Sequence, residues 1–334
     1  MKKILITGAS GFIGSFLVEE ALMQGWEVWA GIRLTSNKTY LTNPAIHLIE
    51  LDFSNKESMK ELFVSFKQKS GTFDAIVHNA GITKTQKKHD FDLVNHQYTR
   101  NFIEALLLSE STPKKFIYIS SLAAFGPGNE QTGQPITLMS IPNPISYYGK
   151  SKLRAEQYIT SLTDFPYIIL RPTGVYGPHE KDYFVMFRTI NWHLETYIGT
   201  AFQQLTFLYV KDLTRIIIAA SASNISNKSY FITDGNNYTT KEFSVLVKSL
   251  LNKKTITLVF PKAIVRSIAW TLEKLYSVFG SVPTLNTEKY KEISCKNWLC
   301  EGGEIWNDLT LEPRYDLKSG LKETIDWYKQ ENML

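Results

Sequence analysis

The chain has 334 residues, of which 43% are hydrophobic and 21% are charged, and its formal net charge is +5. This is the composition of a globular protein with a sizeable core, arranged as one large domain or two modest ones. Because lysine and arginine are dispersed along the chain and form no basic stretch, the charge pattern argues against a nucleic-acid partner.

Three further features bear on the cellular compartment. Cys295 and Cys300 form neither a disulfide framework nor, with the histidines, the spacing of a metal site. The apolar run after the N-terminal lysines stops at Gly8, which is too short for a signal peptide. No stretch of about 18 apolar residues is present, so no integral membrane segment is expected. We therefore expect a cytoplasmic protein with reduced thiols and no metal.

The first half of the chain alternates short apolar runs with segments of helical periodicity. Most of the runs are continuously apolar, as in parallel strands buried on both faces. The predicted strands are residues 3–7, 27–32, 46–51, 74–79, 115–120 and 167–171. Helices are predicted within residues 11–25 and 57–69, with Ser54 and Glu57 spaced as a capping box for the second. This alternation predicts an α/β fold with a Rossmann-like, doubly wound parallel sheet.

After about residue 175 the pattern changes to a smaller, mostly helical substrate-binding region. Helices are predicted at 238–251 (with a threonine cap), at 261–280 and within 312–331, and one more sheet-associated segment is predicted at 206–210. We assign 1–175 to the dinucleotide-binding domain, with a returning segment near 205–233, and 176–204 and 234–334 to the substrate-binding region. The apolar stripe of 261–280 is interpreted as core packing, as a wall over the substrate site or as a peripheral membrane-surface helix.

A group of aromatic residues follows the predicted domain boundary. Two interpretations stay open, because these side chains could line an apolar substrate pocket or could simply be core. The group consists of Tyr183, Phe184, Phe187, Trp192 and Tyr197. The small-molecule substrate itself cannot be read from this region.

The stretch "LITGASGFIG" places Gly8, Gly11 and Gly14 between the first strand and the first helix. Glycines at these positions allow a tight turn and let the backbone approach a pyrophosphate, which then lies on the helix N-terminus. The alternative is a turn that needs glycine for steric reasons alone. The complete strand–turn–helix–strand context favours dinucleotide binding.

The choice of dinucleotide depends on the residues after the second strand. Arg33 stands there without a neighbouring acid, which favours NADP(H), with NAD(H) as the alternative. Arg33 could also be a solvated charge at a strand end. Asp52, after the third strand, could contact the adenine or form a turn, and Ala80 and Gly81 would let the backbone approach the middle of the cofactor.

A set of polar residues predicts hydride-transfer chemistry. Ser120 and Ser121 end the fifth strand, and Tyr148 and Lys152 are the one Tyr/Lys pair in "ISYYGKSKLRAE" at helical spacing. A serine hydroxyl can orient a carbonyl, and a phenol can exchange the proton while hydride moves to or from a nicotinamide. An ammonium about 4 Å from the phenol is expected to lower the pKa of Tyr148 by about three units.

In combination, these motifs resemble the extended short-chain dehydrogenase/reductase (SDR) family, also called the NAD-dependent epimerase/dehydratase family. The resemblance rests on "TGASGFIG", "LDFSN", "HNAG", "YISSLAAFG", "YYGKSK", "LRPTGVYGP", "FLYVKDL" and "GLKETIDWYKQ". It implies a catalytic triad of Ser121, Tyr148 and Lys152, in which Ser121 is chosen over Ser120 because it stands four residues before the aromatic Phe125.

The same resemblance implies the remaining cofactor contacts and the oligomeric state. Lys152 would also hold the nicotinamide ribose, and Arg171, Pro172 and Thr173 would line the nicotinamide side. The cofactor-binding set further includes Ser10, Phe12, Ile13, Phe53 and Asn79. Dimerisation through helices that flank the sheet is common in the family, so the resemblance implies a homodimer.

Departures from the family patterns narrow the chemistry. Family dehydratases have Asp-Glu where this chain has Leu122 and Ala123, and sugar-nucleotide members have an asparagine where it has Gly174. The main hypothesis is therefore an NAD(P)(H)-dependent oxidoreductase of secondary alcohols or ketones, similar to dihydroflavonol reductases and 3β-hydroxysteroid dehydrogenases. The alternatives are a nucleotide-sugar 4-epimerase with tightly bound NAD and a non-catalytic dinucleotide-binding protein.

Overall fold

A parallel sheet of seven strands lies at the centre of the computed structural model, which describes residues 1–200 and 202–334. The strands are β1 (Lys3–Thr7), β2 (Glu27–Ile32), β3 (His47–Glu50), β4 (Ala75–His78), β5 (Lys115–Ile119), β6 (Tyr167–Pro172), β7 (Gly174–Tyr176), β8 (Leu194–Ile198), β9 (Gln204–Leu205), β10 (Phe207–Tyr209), β11 (Lys228–Ile232), β12 (Tyr238–Thr239), β13 (Ile256–Phe260) and β14 (Asn297–Trp298). The order across the central sheet is β11-β6-β5-β4-β1-β2-β3.

Helices cover both faces of this sheet and build the smaller lobe. They are α1 (Phe12–Met23), α2 (Lys56–Ser70), α3 (Lys88–Asp92), α4 (Tyr98–Leu108), α5 (Tyr147–Thr160), α6 (Lys181–Asn191), α7 (Val210–Ala222), α8 (Thr240–Leu251), α9 (Lys262–Val278), α10 (Thr287–Ile293), α11 (Glu304–Asp308) and α12 (Leu317–Gln330). A π-helical turn, Leu93–Gln97, joins α3 to α4, and a 3-10 turn, Leu122–Ala124, follows β5. Within the described residues, no helix is both long enough and apolar enough to cross a membrane.

The alternating side chains of the central strands supply two cores. On β1, Ile4 and Ile6 pack on one face against α1 and α7, whereas Leu5 packs on the other face against α2, α4 and α5. All three side chains are fully buried. Burial on both faces explains why these strands read as continuous apolar runs, and the six predicted strands and the doubly wound fold are confirmed.

The order in which strands are added across the sheet reverses at β1, because β2 and β3 lie on one side of it and β4 lies on the other. The carboxyl ends of β1, β4, β5 and β6 therefore meet around one crevice, which is where ligands bind in such sheets. Most of the residues proposed above for the cofactor lie at or just beyond a strand end on this edge, whereas Phe12, Ile13 and Gly14 begin α1, and Tyr148 and Lys152 lie on α5.

The predicted capping box at Ser54 and Glu57 is wrong. The N-cap of α2 is Asn55, whose side chain accepts a hydrogen bond from the Ser58 amide at 3.0 Å. Ser54 instead donates through its backbone amide and its hydroxyl to the carboxylate of Asp52. Asp52 thus starts a tight turn that delays the helix by one residue. The predicted threonine cap of α8 is confirmed, since Thr239 and Glu242 form a capping box there.

The smaller lobe contains more strand than the sequence predicts. The segment predicted at 206–210 forms β10, but β10 pairs with β7 and not with the central sheet, whose seventh strand is β11. The aromatic group divides, because Phe187 and Tyr197 are buried core, Tyr183 and Phe184 pack against that core, and Trp192 is exposed. The apolar stripe of α9 is not core, since only Val265 and Ala269 are buried along the helix.

Candidate active site

The glycine turn after β1 is a cradle that no larger residue fits. Gly8 has φ +64, and a Cβ there would lie 2.9 Å from the Ala80 backbone; at Gly14 a Cβ would lie 2.1 Å from the Gly8 carbonyl oxygen. Gly11 is the N-cap of α1 and offers no side-chain cap, so amide groups at Phe12 and Ile13 are left for an anion. This turn, with half-buried Ser10 within it, fits a dinucleotide pyrophosphate.

A buried hydrogen-bond chain holds the loop after β4 against this turn. His78 lies between Thr7 and Thr99, with 2.9 Å from a ring nitrogen to each hydroxyl oxygen. The Ala80 amide donates to the Thr7 hydroxyl at 3.1 Å, and the Asn79 side chain donates to the Gly8 carbonyl. Burial lowers the pKa of His78 to about 3, so its ring is neutral.

Asn95, in the π-helical turn, belongs to the site although the sequence analysis did not single it out. Its side-chain oxygen accepts from the Ile82 amide at 2.8 Å, and its amide group donates to the Ile82 carbonyl and the Ser151 hydroxyl. Asn95 therefore fixes Gly81 and the loop after it relative to α5. A π-helical turn often marks a functional site, but no short sequence pattern announces one.

The residues predicted around the adenosine differ in exposure. Arg33 is exposed directly after β2, and its backbone amide donates to the Ser36 hydroxyl. The side chain of Asp52 is engaged with Ser54, so the structure places it as a turn former. Phe53 packs edge-on against His78 and Phe102, next to the hydrogen-bond chain described above.

The two adjacent serines after β5 have different environments. The hydroxyl of Ser120 is buried and donates to the carboxylate of Glu156 on α5. Ser121 is half-buried, caps the 3-10 turn by accepting from the Ala123 amide at 3.2 Å, and lies close enough to the Tyr148 phenol to influence its pKa. Ser121 is therefore the serine that lies with Tyr148.

The expected acidification of Tyr148 is wrong for this structure. Burial raises the pKa of the phenol to about 12, although the neighbouring Ser121 side chain acts in the opposite direction. The Lys152 ammonium donates to the Ile119 carbonyl at 2.8 Å and lies 4.9 Å from the centre of the Tyr118 ring. Burial lowers the pKa of Lys152 itself to about 8. Desolvation outweighs the attraction that the sequence spacing suggested.

The segment after β6 carries one structural ion pair and one unpartnered hydroxyl. Arg171 is buried against Glu156 and lies over the ring of Phe125 at 4.6 Å, so a cofactor contact at Arg171 has to come from its backbone. Pro172 is buried as the last residue of β6. The hydroxyl of Thr173 is buried and has no hydrogen-bond partner among the described residues, which fits a polar group of a ligand such as the nicotinamide carboxamide.

Gly174 has a structural reason to be glycine. A Cβ at this position would lie 2.4 Å from the hydroxyl of Tyr183 and 3.2 Å from the Phe207 ring. Tyr183 is half-buried at the start of α6, and its phenol occupies the space that an asparagine side chain would need. The departure from the sugar-nucleotide pattern is therefore compensated by a neighbouring aromatic residue.

Helix α10 closes the crevice from the other lobe. Glu292 accepts from the Ser146 hydroxyl at 2.6 Å, and Glu288 accepts from the Tyr147 amide at 2.7 Å, so both carboxylates meet the start of α5. Beside them, Asp182 bridges Lys84 at 2.5 Å and Lys289 at 3.0 Å. Burial raises the pKa of Glu292. These charges could not be predicted from the sequence, because nothing in the spacing of residues 84, 182 and 288–292 relates them.

Comparison with known proteins decides the family. A model described as the NAD dependent epimerase/dehydratase family matches residues 4–232, which include the glycine turn, both serines, Tyr148 and Lys152. The chain belongs to the NAD-dependent epimerase/dehydratase family. As a member of this extended SDR family, it is an oxidoreductase or epimerase that works with a nicotinamide dinucleotide.

Members with different reactions are similar to this chain over nearly its whole length. The dTDP-D-glucose 4,6-dehydratase of Bos taurus is 26% identical, covering 98% of this chain and 89% of its own. The 3-beta-hydroxysteroid dehydrogenase of Mycolicibacterium neoaurum is 22% identical, covering 98% and 91%. The UDP-glucose 4-epimerase of Thermus thermophilus, solved in complex with NAD, superimposes with a TM-score of 0.76 at 20% identity, covering 98% of this chain and 99% of that chain. This structural likeness confirms the fold.

Proposed function

We propose that the protein is an NAD(P)(H)-dependent reductase of a ketone, working reversibly on the secondary alcohol, with Ser121, Tyr148 and Lys152 as its catalytic residues. The observation that carries this proposal is the Tyr148 phenol beside Ser121, on a side chain that is half-buried at the start of α5. With a pKa of about 12 the phenol is protonated at neutral pH, which suits a proton donor to a carbonyl oxygen. When bound, the nicotinamide supplies hydride exchange with the substrate carbon.

Each residue of the triad has a role that follows from its surroundings. The Ser121 hydroxyl orients the carbonyl oxygen next to Tyr148, and Tyr148 donates the proton that the alcohol product needs. Lys152, which donates to the Ile119 carbonyl and is close to Gly81, would bind a ribose hydroxyl. Leu122 and Ala123 are buried and apolar where a dehydratase needs an acid and a base, so elimination of water lacks its proton carriers.

NADP(H) is the preferred cofactor in this proposal. Arg33 is exposed at the carboxyl end of β2, and β2 ends without the acid that would accept from a ribose 2′-hydroxyl. Its guanidinium can pair with a 2′-phosphate through charge-assisted hydrogen bonds. We further propose a homodimer, by analogy with the family, and a cytoplasmic location, which the free thiols of Cys295 and Cys300 support.

Consumption of NADPH and NADH with a panel of cyclic and open-chain ketones tests the proposal. Tyr148→Phe is expected to reduce kcat/KM by about 10²- to 10⁴-fold. Tyr147→Phe is the matched control, because this neighbouring tyrosine is 43% exposed and lies outside the triad. An unchanged rate in Tyr148→Phe rejects the mechanism.

The second candidate is a nucleotide-sugar 4-epimerase, favoured by the likeness to UDP-glucose 4-epimerase over 98% of this chain. It predicts that NAD copurifies with the protein and that a UDP-sugar is isomerised without net cofactor consumption. Incubation of the purified protein with UDP-glucose, followed by chromatography of the sugar products, distinguishes the two functions. Absence of both ketone reduction and sugar isomerisation, with tight cofactor binding retained, would support a non-catalytic dinucleotide-binding protein.

A further inference from the structure

Helix α9 and the strand before it expose an unusual amount of apolar surface. Of the 26 large hydrophobic residues that are exposed in the described chain, ten lie between residues 256 and 279. Four of them, Ile264, Ile268, Leu275 and Phe279, are spaced four, seven and four residues apart along α9 and so form one stripe. A contiguous exposed apolar patch marks an interaction surface more often than single, scattered apolar residues do.

The stripe is open to solvent and lies beside the buried residues of the helix. Val265 and Ala269 are the residues of α9 that are buried against the lobe, and a shallow groove runs along the outer side between Ile264, Ile268 and Leu272. Nothing in the described residues covers this groove. Aromatic side chains extend the apolar surface, since Trp270 is 57% exposed and Phe279 is 82% exposed.

The exposed charges of this helix have one sign. Lys262, Arg266 and Lys274 are basic, and none of them forms an ion pair within residues 1–200 and 202–334. The single acid, Glu273, accepts hydrogen bonds from the amide and hydroxyl of Thr287 at 3.0 and 2.6 Å, so its charge is directed toward α10. Lys253 and Lys254 precede β13 and add positive charge to the same stretch of chain.

We propose that α9 is a docking surface for an anionic lipid bilayer. A helix with an apolar stripe, interfacial aromatic residues and positive charge lies in the plane of a membrane interface. A second copy of the chain is a poorer occupant, because a two-fold interface through this face would bring the basic side chains of one copy close to the same side chains of the other. The C-terminal end of α9 leads to Ser281, whose carbonyl accepts from Gln86 of the loop after β4 at 2.9 Å, so docking would place the crevice beside the bilayer.

Co-sedimentation with vesicles tests this proposal on the full chain. Wild type is expected to bind vesicles of phosphatidylglycerol and phosphatidylcholine more strongly than vesicles of phosphatidylcholine alone. Binding is expected to weaken as ionic strength rises from about 0.1 to 1 M, where the Debye length falls from about 10 to 3 Å. Absence of binding to the anionic vesicles would overturn the proposal, and so would equal binding to both compositions.

Matched variants separate the stripe from general hydrophobicity. The double variant Ile268→Asp/Leu275→Asp is expected to weaken binding of the protein to vesicles by about tenfold or more. In wild type, each of these apolar side chains is transferred from water into the membrane interface, and aspartate removes that gain. Met23→Asp/Val64→Asp, which changes exposed apolar residues of α1 and α2, is the control and is expected to bind like wild type. Equal loss in both double variants would contradict a specific surface.

Two further measurements keep the outcome clear. Circular dichroism and thermal unfolding check that the aspartate variant folds. The double variant Arg266→Glu/Lys274→Glu keeps the stripe intact and should by itself remove the preference for anionic vesicles. Size-exclusion chromatography identifies the competing occupant. A wild-type dimer that becomes a monomer in the stripe variant, without vesicle binding by either protein, would replace the membrane by a second copy and overturn the proposal.

Discussion

The guanidinium of Arg171 on β6 and the carboxylate of Glu156 on α5 form a buried bidentate ion pair, with Nε 3.0 Å from Oε1 and Nη2 2.8 Å from Oε2. Ser120 donates to the same carboxylate. Helix α5 carries Tyr148 and Lys152 on the turns before Glu156, so this pair fixes the helix against the sheet. The orientation of the catalytic residues therefore depends on two side chains that lie outside the proposed catalytic triad.

Removing one partner of this pair should destabilise the protein strongly. Glu156→Gln leaves the guanidinium of Arg171 buried without a counter-charge, and the free energy of unfolding is expected to fall by about 3 kcal/mol. Glu57→Gln is the control, because Glu57 pairs with Lys60 at the surface with side chains 64% and 38% exposed, and its loss should cost less than about 1 kcal/mol. Urea denaturation measures the free energy of unfolding of both variants. Similar losses in the two would show that the buried pair contributes no more to stability than a surface pair does.

Substitution of the two adjacent serines should have different effects, on catalysis for Ser121 and on stability for Ser120. Ser121→Ala removes the hydroxyl beside Tyr148, so kcat/KM for a reducible ketone is expected to fall by about 10²-fold with an unchanged unfolding midpoint. Ser120→Ala removes a buried hydrogen bond to Glu156, so the free energy of unfolding should fall by about 1 kcal/mol with a much smaller effect on kcat/KM. Steady-state kinetics and urea denaturation of both proteins check this assignment, and the opposite pattern would exchange the roles of the two residues.

Charge at residue 33 should determine the cofactor. Arg33→Asp replaces a partner of a 2′-phosphate by a like charge, and the Kd for NADPH is expected to rise by about 10- to 100-fold while that for NADH changes little. Lys114→Ala is the control, since Lys114 is 80% exposed before β5, at the edge of the sheet opposite the crevice. Fluorescence titration with both cofactors gives the two constants. If NADPH binds the Arg33→Asp protein as tightly as wild type, Arg33 is only a solvated charge.

Protonation of His78 should weaken the fold in acid. Thr99 donates its hydroxyl proton to the Asn95 carbonyl, so it can only accept from the imidazole, and Thr7 accepts from Ala80 and can donate to the other ring nitrogen. This arrangement fits a neutral ring with one N–H. Because the pKa of His78 is about 3 in the folded protein and 6.5 ordinarily, the folded state binds fewer protons. Stability is then complete above about pH 6.5 and falls as the pH decreases toward 3, by up to about 1.4 kcal/mol per unit.

The pH series identifies the residue responsible. Urea denaturation between about pH 7 and 4.5 should show a shallower loss of stability in His78→Gln than in wild type, although this variant is less stable at pH 7. His89→Gln is the matched control, because the His89 side chain is 72% exposed and should leave the slope unchanged. Parallel slopes in all three proteins would assign the acid sensitivity to carboxylates alone.

Local patterns were sufficient to predict the central sheet and the glycine turn. Strands such as β1 are buried on both faces, so their sequences are unmistakably apolar. Within one strand–turn–helix unit, Gly8 is required by its positive φ, and Gly14 is required by its contact with the Gly8 carbonyl. The cap of α2 was missed because Asp52 competes for Ser54, which is a choice between two local hydrogen-bond patterns of similar strength. The capping box of α8 met no such competitor.

The properties that depend on tertiary contacts could not be predicted. The spacing of Tyr148 and Lys152 says that they share a helical face, but the direction of the ammonium is set by the Ile119 carbonyl and the Tyr118 ring on β5. Likewise, the contacts of α10 with the start of α5 join residues more than 140 positions apart. The sequence predicted that α9 is amphipathic, but its exposure depends on which neighbouring elements cover it in the folded protein.

Strand β11 has a consequence for how the protein is made. The larger lobe is one strand short until Lys228–Ile232 has been synthesised, because β6 pairs with β11 only after the chain has passed through β7 to β10 and α7. During translation, β6 therefore waits with an open edge while more than fifty further residues emerge from the ribosome. Fragments that stop at the end of β6 should be caught by chaperones or aggregate through that edge, and nascent-chain lengths that include β11 should be the first to resist protease.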